Sequence, residues 1–488
     1  MASSGPFETQ NKAGGMIGRK NEIEVLRRAM DSDQSEFVAL YGRRRVGKTF
    51  LVTEVFNGKF SFHHAGIENA TLRMSLDAFR EALRHQGHPR CPRLMSWIAA
   101  FSELETLLEG LPDGRKVVFL DELPWFDTPK SGFLAAFEGF WNGWAAVRRD
   151  ILLVVCGSAT TWIVNEILDS RGGLHNRVTR QLPIAPFTLR ECEEYAAYKG
   201  LGFDRRQIAE CYMALGGVAY YWSLLREGLS AAQNFDLLFF GAADEMRKEY
   251  GRLFSSLFKR PTRHIAVVEA LGRRKSGMTR TEIAALVPGG SGGETTKCIE
   301  ELCECGFLRR YAVPFHARRD AIYQLIDPFT LFHFQFLRNR IGTDGHFWML
   351  SQGTPSVNAW RGLAFERLCL WHLPQIRAAL GISGVLTDAY SWRGRRAEDG
   401  DKPVQIDLLL DRRDGVVDLC EMKFTEEPYQ LDSDEVARLA ERAAQFRRQT
   451  GTRKAVCTVL VAASGVKRNK YSGNIQTVVT LDDLFREI

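Results

Sequence analysis

Residues 36–50 read Glu-Phe-Val-Ala-Leu-Tyr-Gly-Arg-Arg-Arg-Val-Gly-Lys-Thr-Phe. The apolar run 37–41 reads as a strand, and a helix is expected from Lys48. Between them Gly42 to Thr49 fits GxxxxGK[ST], a loop whose backbone N–H groups turn inward to cradle phosphate. The new helix aims its N-terminus at the same anion. Lys48 is suited to neutralise β/γ oxygens and Thr49 to ligate Mg²⁺. The expected nucleotide-binding set is Gly42, Arg43, Val46, Gly47, Lys48, Thr49 and Phe50.

Working outward, 116–120 (KVVFL) and 151–156 (ILLVVC) are continuous apolar runs, as expected of strands covered on both faces. Helical patterns at 71–85 and 94–108 lie between the first strand and these two runs, which gives an α/β unit with a parallel sheet. Asp121 and Glu122 follow the first run directly. A carboxylate pair at a buried strand end needs a cation or hydrogen bonds. Asp121 suits Mg²⁺ held through water, and Glu122 suits orienting or deprotonating the attacking water. The second run ends in Gly157-Ser158, so Ser158 either senses the γ-phosphate or is a turn serine.

At 488 residues the chain is long enough for about three domains, and 45% hydrophobic with 25% charged residues is ordinary globular composition. The start of the chain lacks an apolar run behind basic residues, and no apolar stretch is long enough to span a bilayer, so a cytoplasmic protein is expected. The ten cysteines form no CxxC pair and read as reduced thiols. Residues 251–320 hold 13 Lys and Arg against 7 Asp and Glu, and the rest of the chain is balanced. All of the net charge of +6 therefore sits in one segment, as a nucleic-acid contact or a solvated basic face would have it. Within it, helical patterns at 264–271, 278–287 and 294–305 precede two apolar runs, 307–313 and 321–326, around a basic turn. That is the order of a winged helix. Thr279 and Thr281 are N-cap candidates.

The first part resembles the archaeal- and bacterial-type P-loop ATPases of the AAA+/STAND group. Ile17-Gly18-Arg19 with Glu22 is similar to the group's N-terminal box, with Lys20 in place of its first Glu. The phosphate loop, VVFLDELPW (117–125), CGSATTW (156–162) and Gly173-Leu174-His175-Asn176-Arg177 follow in order. Leu215-Gly216-Gly217 resembles the motif of the helical lid, although Ala219 stands where the pattern has proline. The resemblance implies ATP with Mg²⁺ as cofactors, adenine contacts near 17–19, a catalytic Glu122 and a γ-phosphate-sensing Arg177.

The last part is again α/β. Asp407 lies in VQIDLLL (404–410), and thirteen residues separate it from Glu421, which with Lys423 forms the ExK of VVDLCEMKF (416–424). Residues two apart on a strand share a face, so Glu421 and Lys423 project together. If the strands form a hairpin, Asp407 reaches that face. Asp407 and Glu421 are then placed to hold Mg²⁺, with Lys423 activating water or offsetting phosphorane charge. Glu366, on a helix in GLAFERL (362–368), is a further carboxylate. Arg438, Arg442, Gln445 and Gln449 recur at helical spacing, as a phosphate-backbone face would. This order resembles the PD-(D/E)xK nucleases, in particular the DUF234-like C-terminal module fused to such ATPases.

The expected architecture is a P-loop NTPase parallel sheet with helical lid (1–250), a winged-helix domain (251–345) and a restriction-endonuclease-like α/β domain (355–488). The expected function is ATP-dependent control of a Mg²⁺-dependent nuclease acting on DNA. Its rival is an ATP-switched DNA-binding or signalling scaffold with a silent third domain. Expected partners are ATP and DNA, with a homo-oligomer left open and no membrane. His63-His64 lack a third metal ligand and read as structural, and 328–336 (PFTLFHFQF) reads as a core helix.

Overall fold

The computed structural model describes residues 16–169, 172–241, 245–258, 260–288, 292–311, 321–340, 344–394 and 404–488. They divide into two compact units, with the boundary between 185 and 186.

The first unit is built on five parallel strands: β1 (Glu36–Tyr41), β2 (Phe62–Ala65), β3 (Lys116–Asp121), β4 (Ile151–Gly157) and β5 (Arg180–Pro183). Their order is β2-β3-β4-β1-β5, with every neighbouring pair parallel. Alternate residues feed opposite faces. Phe37, Ala39, Val118, Leu120, Leu153 and Val155 enter one buried cluster, and Val38, Leu40, Val117, Phe119, Leu152 and Val154 enter the other. This two-sided burial is why the strands read as unbroken apolar runs. It also sets the ladder register, Leu40 beside Cys156 and Leu120 beside Val155, so that residues 42, 121 and 157 leave the sheet at one rim. The helices around it start where the sequence offers caps: Thr71 accepts from the Met74 N–H and Ser96 from the Ala99 N–H.

His63 and His64 lie on β2, inside this packing. His63 stacks on Phe119 at 4.9 Å, and His64 meets Phe79 and Phe126 edge-on. Burial pushes the His64 pKa down to about 4, as suits a core histidine.

The second unit begins with helices through Leu257, among them Leu189–Tyr198 and Arg205–Leu215. Residues 188–229, expected as the helical lid of the P-loop domain, thus fall in the second unit with the residues that follow them. Next come helices Pro261–Gly272, Arg280–Leu286 and Gly292–Glu304, with strands β6 (Met278–Thr279), β7 (Leu308–Tyr311) and β8 (Ile322–Leu325). The strands form an antiparallel sheet of order β6-β8-β7. Of the two candidates, Thr279 is the N-cap, in a reciprocal capping box with Glu282. The basic turn at 316–320 lies outside the described residues.

A second five-stranded sheet follows: β9 (Thr387–Arg393), β10 (Gln405–Arg412), β11 (Val416–Lys423), β12 (Ala455–Ala462) and β13 (Thr477–Thr480). β9, β10 and β11 pair antiparallel, and β11, β12 and β13 pair parallel. Helix Pro355–Trp371 lies against one face, where Leu408, Leu410, Cys420 and Met422 join the main core. Helix Ser433–Thr450 covers the other, with Phe446 among Leu409, Val417 and Leu419. The first of these helices starts five residues earlier than its periodicity suggests, because Thr354 caps it and Pro355 takes the first turn. Residues 328–336 are core as expected, with Phe329, Phe332 and Phe336 buried.

Candidate functional site

At the C-terminal rim of the first sheet the loop after β1 is held by unusual backbone angles. Gly42 has φ 142° and Gly47 φ 94°. At Gly42 the reason is also steric, since a Cβ there would lie 2.3 Å from the Ile184 carbonyl oxygen. Arg45 takes φ 68°, so a non-glycine also adopts the left-handed region to complete the turn. The loop is braced from outside. Buried Arg19 donates to the carbonyls of Val46 (3.4 Å) and Ala185 (2.5 Å). Arg19, expected only near an adenine contact, therefore positions the loop.

Lys48 opens helix Lys48–Val55 and is buried, its ammonium donating to the Gly42 (2.9 Å) and Arg43 (3.0 Å) carbonyls. The Thr49 hydroxyl donates to Asp121 Oδ2 at 2.8 Å. This is the pair expected to share a cation, one from the loop and one from β3. Asp121 Oδ1 accepts from the Glu122 N–H (2.8 Å) and the Cys156 thiol (2.5 Å). Burial, then Asp121, pushes the Cys156 thiol well above its usual pKa, so it stays a donor.

Glu122 takes a left-handed conformation, φ 47°, where the chain turns off β3. Its Oε2 accepts from Ser158 twice, from the N–H at 3.0 Å and the hydroxyl at 2.8 Å. Ser158 thus reaches the site through Glu122. Val46 and Arg43 are buried, and the Phe50 ring is exposed. Arg177 is the exception. It precedes β5, whose Arg180 lies beside Val38, while the Thr179 N–H bonds the Phe37 carbonyl. Arg177 is exposed at the opposite rim, more than four residues of strand, roughly 13 Å, from the loop. The structure does not bring it to Lys48.

In the second unit the β10–β11 register pairs Leu408 with Cys420 and Leu409 with Leu419. Continued by one residue it sets Asp407 opposite Glu421, on the face that Lys423 shares. Lys423 contacts Glu421 at 2.9 Å and Glu435 at 3.1 Å, and Arg442 pairs with the other Glu421 oxygen. Asp407 accepts from Gln405 Nε2 at 2.7 Å. Burial works against the Lys423 charge, but Glu421 foremost outweighs it and raises the pKa, so the side chain remains an ammonium. Glu366 joins the group: burial first, then Asp407, pushes its carboxyl up to about 7.

On the helix face with Arg438, Arg442, Gln445 and Gln449, Arg442 and Gln445 are engaged within the protein, whereas Arg438 and Gln449 are exposed. Arg442 is paired as above, Arg438 pairs with Glu435, and buried Gln445 accepts from the Val404 N–H at 2.9 Å. Helical spacing marked one face correctly, but it could not say that the face packs against β11. Glu435 and buried Arg367 were missed, because each reads as an ordinary charge on an amphipathic helix.

No protein-family model matches the chain. It is 21% identical over 365 residues to an uncharacterized protein of Methanocaldococcus jannaschii, covering 72% of this chain and 76% of that one. A stretch of 43 residues is 42% identical to an uncharacterized ATP-binding protein of the same archaeon, 9% of this chain and 73% of the relative. Among solved structures, the Walker-type ATPase of Pyrococcus abyssi aligns with 67% of this chain and 98% of its own, at 16% identity and a TM-score of 0.47. The first unit thus combines a GxxxxGK[ST] loop after β1 with a parallel five-stranded sheet in which β4 lies between β1 and β3.

Proposed function

We propose that the chain binds and hydrolyses ATP at the rim of its first sheet and that the second unit carries a Mg²⁺-dependent nuclease acting on DNA. One observation carries the first half: Lys48, the Thr49–Asp121 pair and the Glu122–Ser158 pair converge on one strand-end rim. Lys48 meets ground-state phosphate charge. Thr49 and Asp121 would hold Mg²⁺, which bridges and neutralises phosphate oxygens. Glu122, fixed by Ser158, orients water and takes its proton. Arg177 lies at the other rim, so a phosphate contact from it requires a second copy of the chain. Calorimetry tests the assignment: ATP binding should be lost in Lys48→Ala, and equal affinity in the two proteins would sink it.

The second half is supported by Asp407, Glu421 and Glu366 gathering beside Lys423. Asp407 and Glu421 fit a hard cation, and the Lys423 ammonium suits charge offset better than proton removal. The three helices and antiparallel sheet of 261–325 have winged-helix order, and the basic residues 273–275 are its proposed DNA contact. A scaffold reading has one observation in its favour: both Glu421 oxygens are already engaged by Lys423 and Arg442. Plasmid cleavage in Mg²⁺ or Mn²⁺, with and without ATP, separates the two. Absence of cleavage under all four conditions hands the second unit to the scaffold reading.

A further inference from the structure

A cavity of about 250 Å³ lies within the second unit, where helices Arg205–Leu215, Pro328–Phe332 and Pro355–Trp371 meet the turn at 272–275. Arg274, Lys275 and Arg367 bring three positive charges to its wall, and no Asp or Glu is among the described residues that line it. Arg274 is answered from outside the cavity by Glu282 at 2.5 Å. Lys275 makes no ion pair among the described residues, although Glu366 acts on both Lys275 and Arg367, and Asp407 on Arg367, from outside the lining. Arg367 is 3% exposed. Its Nη2 donates to the Lys275 carbonyl at 2.6 Å, whereas its Nε and Nη1 are buried without an acceptor. The Trp360 indole N–H, two turns earlier on the same helix face, is likewise buried without one.

Buried donors that lack acceptors cost about 1–3 kcal/mol each, more when charged. Here they converge with two further cations on space large enough for a guest. Such a wall selects an acceptor that carries more than one negative charge. A phosphate monoester, at about −1.5 to −2, meets that requirement better than a single carboxylate. The rest of the wall is apolar, with Leu331, Phe334 and Leu363. The volume falls below the roughly 300–1,000 Å³ of drug-sized sites. We propose that this cavity binds a small organic phosphate, its anion held by Arg367 and Lys275 and its body packed on Leu331, Phe334 and Leu363. Because Glu366 adjoins Arg367 on the helix, an occupant also bears on the segment that presents the candidate carboxylates. Binding at this site can be read without the P-loop and without nuclease activity.

The test uses the full chain carrying Lys48→Ala, so that the P-loop does not report. AMP and ribose 5-phosphate are titrated by calorimetry, with adenosine and ribose as the phosphate-free controls. At least one phosphate-bearing probe should bind, at least tenfold more tightly than its control. Arg367→Met and Lys275→Glu should each weaken it tenfold or more. If Arg367→Met does not fold, Lys275→Glu decides, since Lys275 is exposed and its melting temperature should not change. Failure of both phosphates to bind, or unchanged affinity in Lys275→Glu, overturns the proposal.

Discussion

Gly42 shows how a single residue fixes the candidate ATP site. Its φ of 142° and the 2.3 Å separation between a notional Cβ and the Ile184 oxygen leave no room for a side chain. Gly42→Ala should therefore destabilise the first unit by about 1–3 kcal/mol, read as a lowered melting temperature. An unchanged melting curve would mean that the loop can relax away from β5. Gly47 differs: its φ is 94°, but nothing lies within 4 Å of a Cβ, so alanine there strains the backbone alone. The motif in the sequence marks both glycines equally. What distinguishes them is a strand some 140 residues later in the chain, which no local pattern contains.

At the scale of elements, the β10–β11 hairpin and its two flanking helices set the second candidate site. Asp407→Ala should abolish metal-dependent DNA cleavage while leaving ATP hydrolysis largely intact, because the residue belongs to a different unit from the phosphate loop. Cleavage that survives in Asp407→Ala would place the active centre elsewhere. Another element contact sets a pH limit. His372 ends helix Pro355–Trp371 with its Nδ1 on the Leu368 carbonyl at 2.9 Å, and its Nε2 accepts from the Leu189 N–H at 3.0 Å. This fixes the neutral tautomer, and burial pushes its pKa down to about 4. The unfolded chain binds the proton near 6.5, so the contribution is full above that pH and is lost as pH falls towards 4. Wild type should lose up to about 3 kcal/mol across that interval relative to His372→Gln, measured by urea unfolding. Parallel curves would refute the tautomer assignment. Most of these elements were legible. Continuous apolar runs marked the buried strands, whereas Asp407, Glu421 and Lys423 were singled out by a shared strand face, an assumed hairpin and a resemblance to PD-(D/E)xK nucleases. The partners of Glu421 were not, because Arg442 sits on a helix whose periodicity shows a polar face without showing what that face meets. Arg177 misled for a related reason: its motif gives chain order, whereas strand register decides the rim.

In the molecule as a whole, a phosphate-loop unit is followed by a unit with a concentrated basic segment. If Arg273, Arg274 and Lys275 contact DNA phosphates, their triple alanine variant should bind duplex more weakly regardless of sequence. The log K against log salt slope should flatten by about 0.9 per lost contact. An unchanged slope would show that the charge is only solvated. Length and motif order suggested three parts with a first boundary near 250, whereas the chain clusters as two units divided between 185 and 186. The clustering of 186–250 with the second unit was not readable, since helical periodicity shows that a face is apolar but not which core receives it. The central claim concerns the rim where Lys48, Asp121 and Glu122 meet, and its most direct test is phosphate release from ATP by the purified chain with Mg²⁺ present. Wild type should turn over, and Glu122→Gln should bind ATP with similar affinity yet release phosphate about 10²–10⁴-fold more slowly. Equal turnover in wild type and Glu122→Gln, or none in wild type, would contradict it.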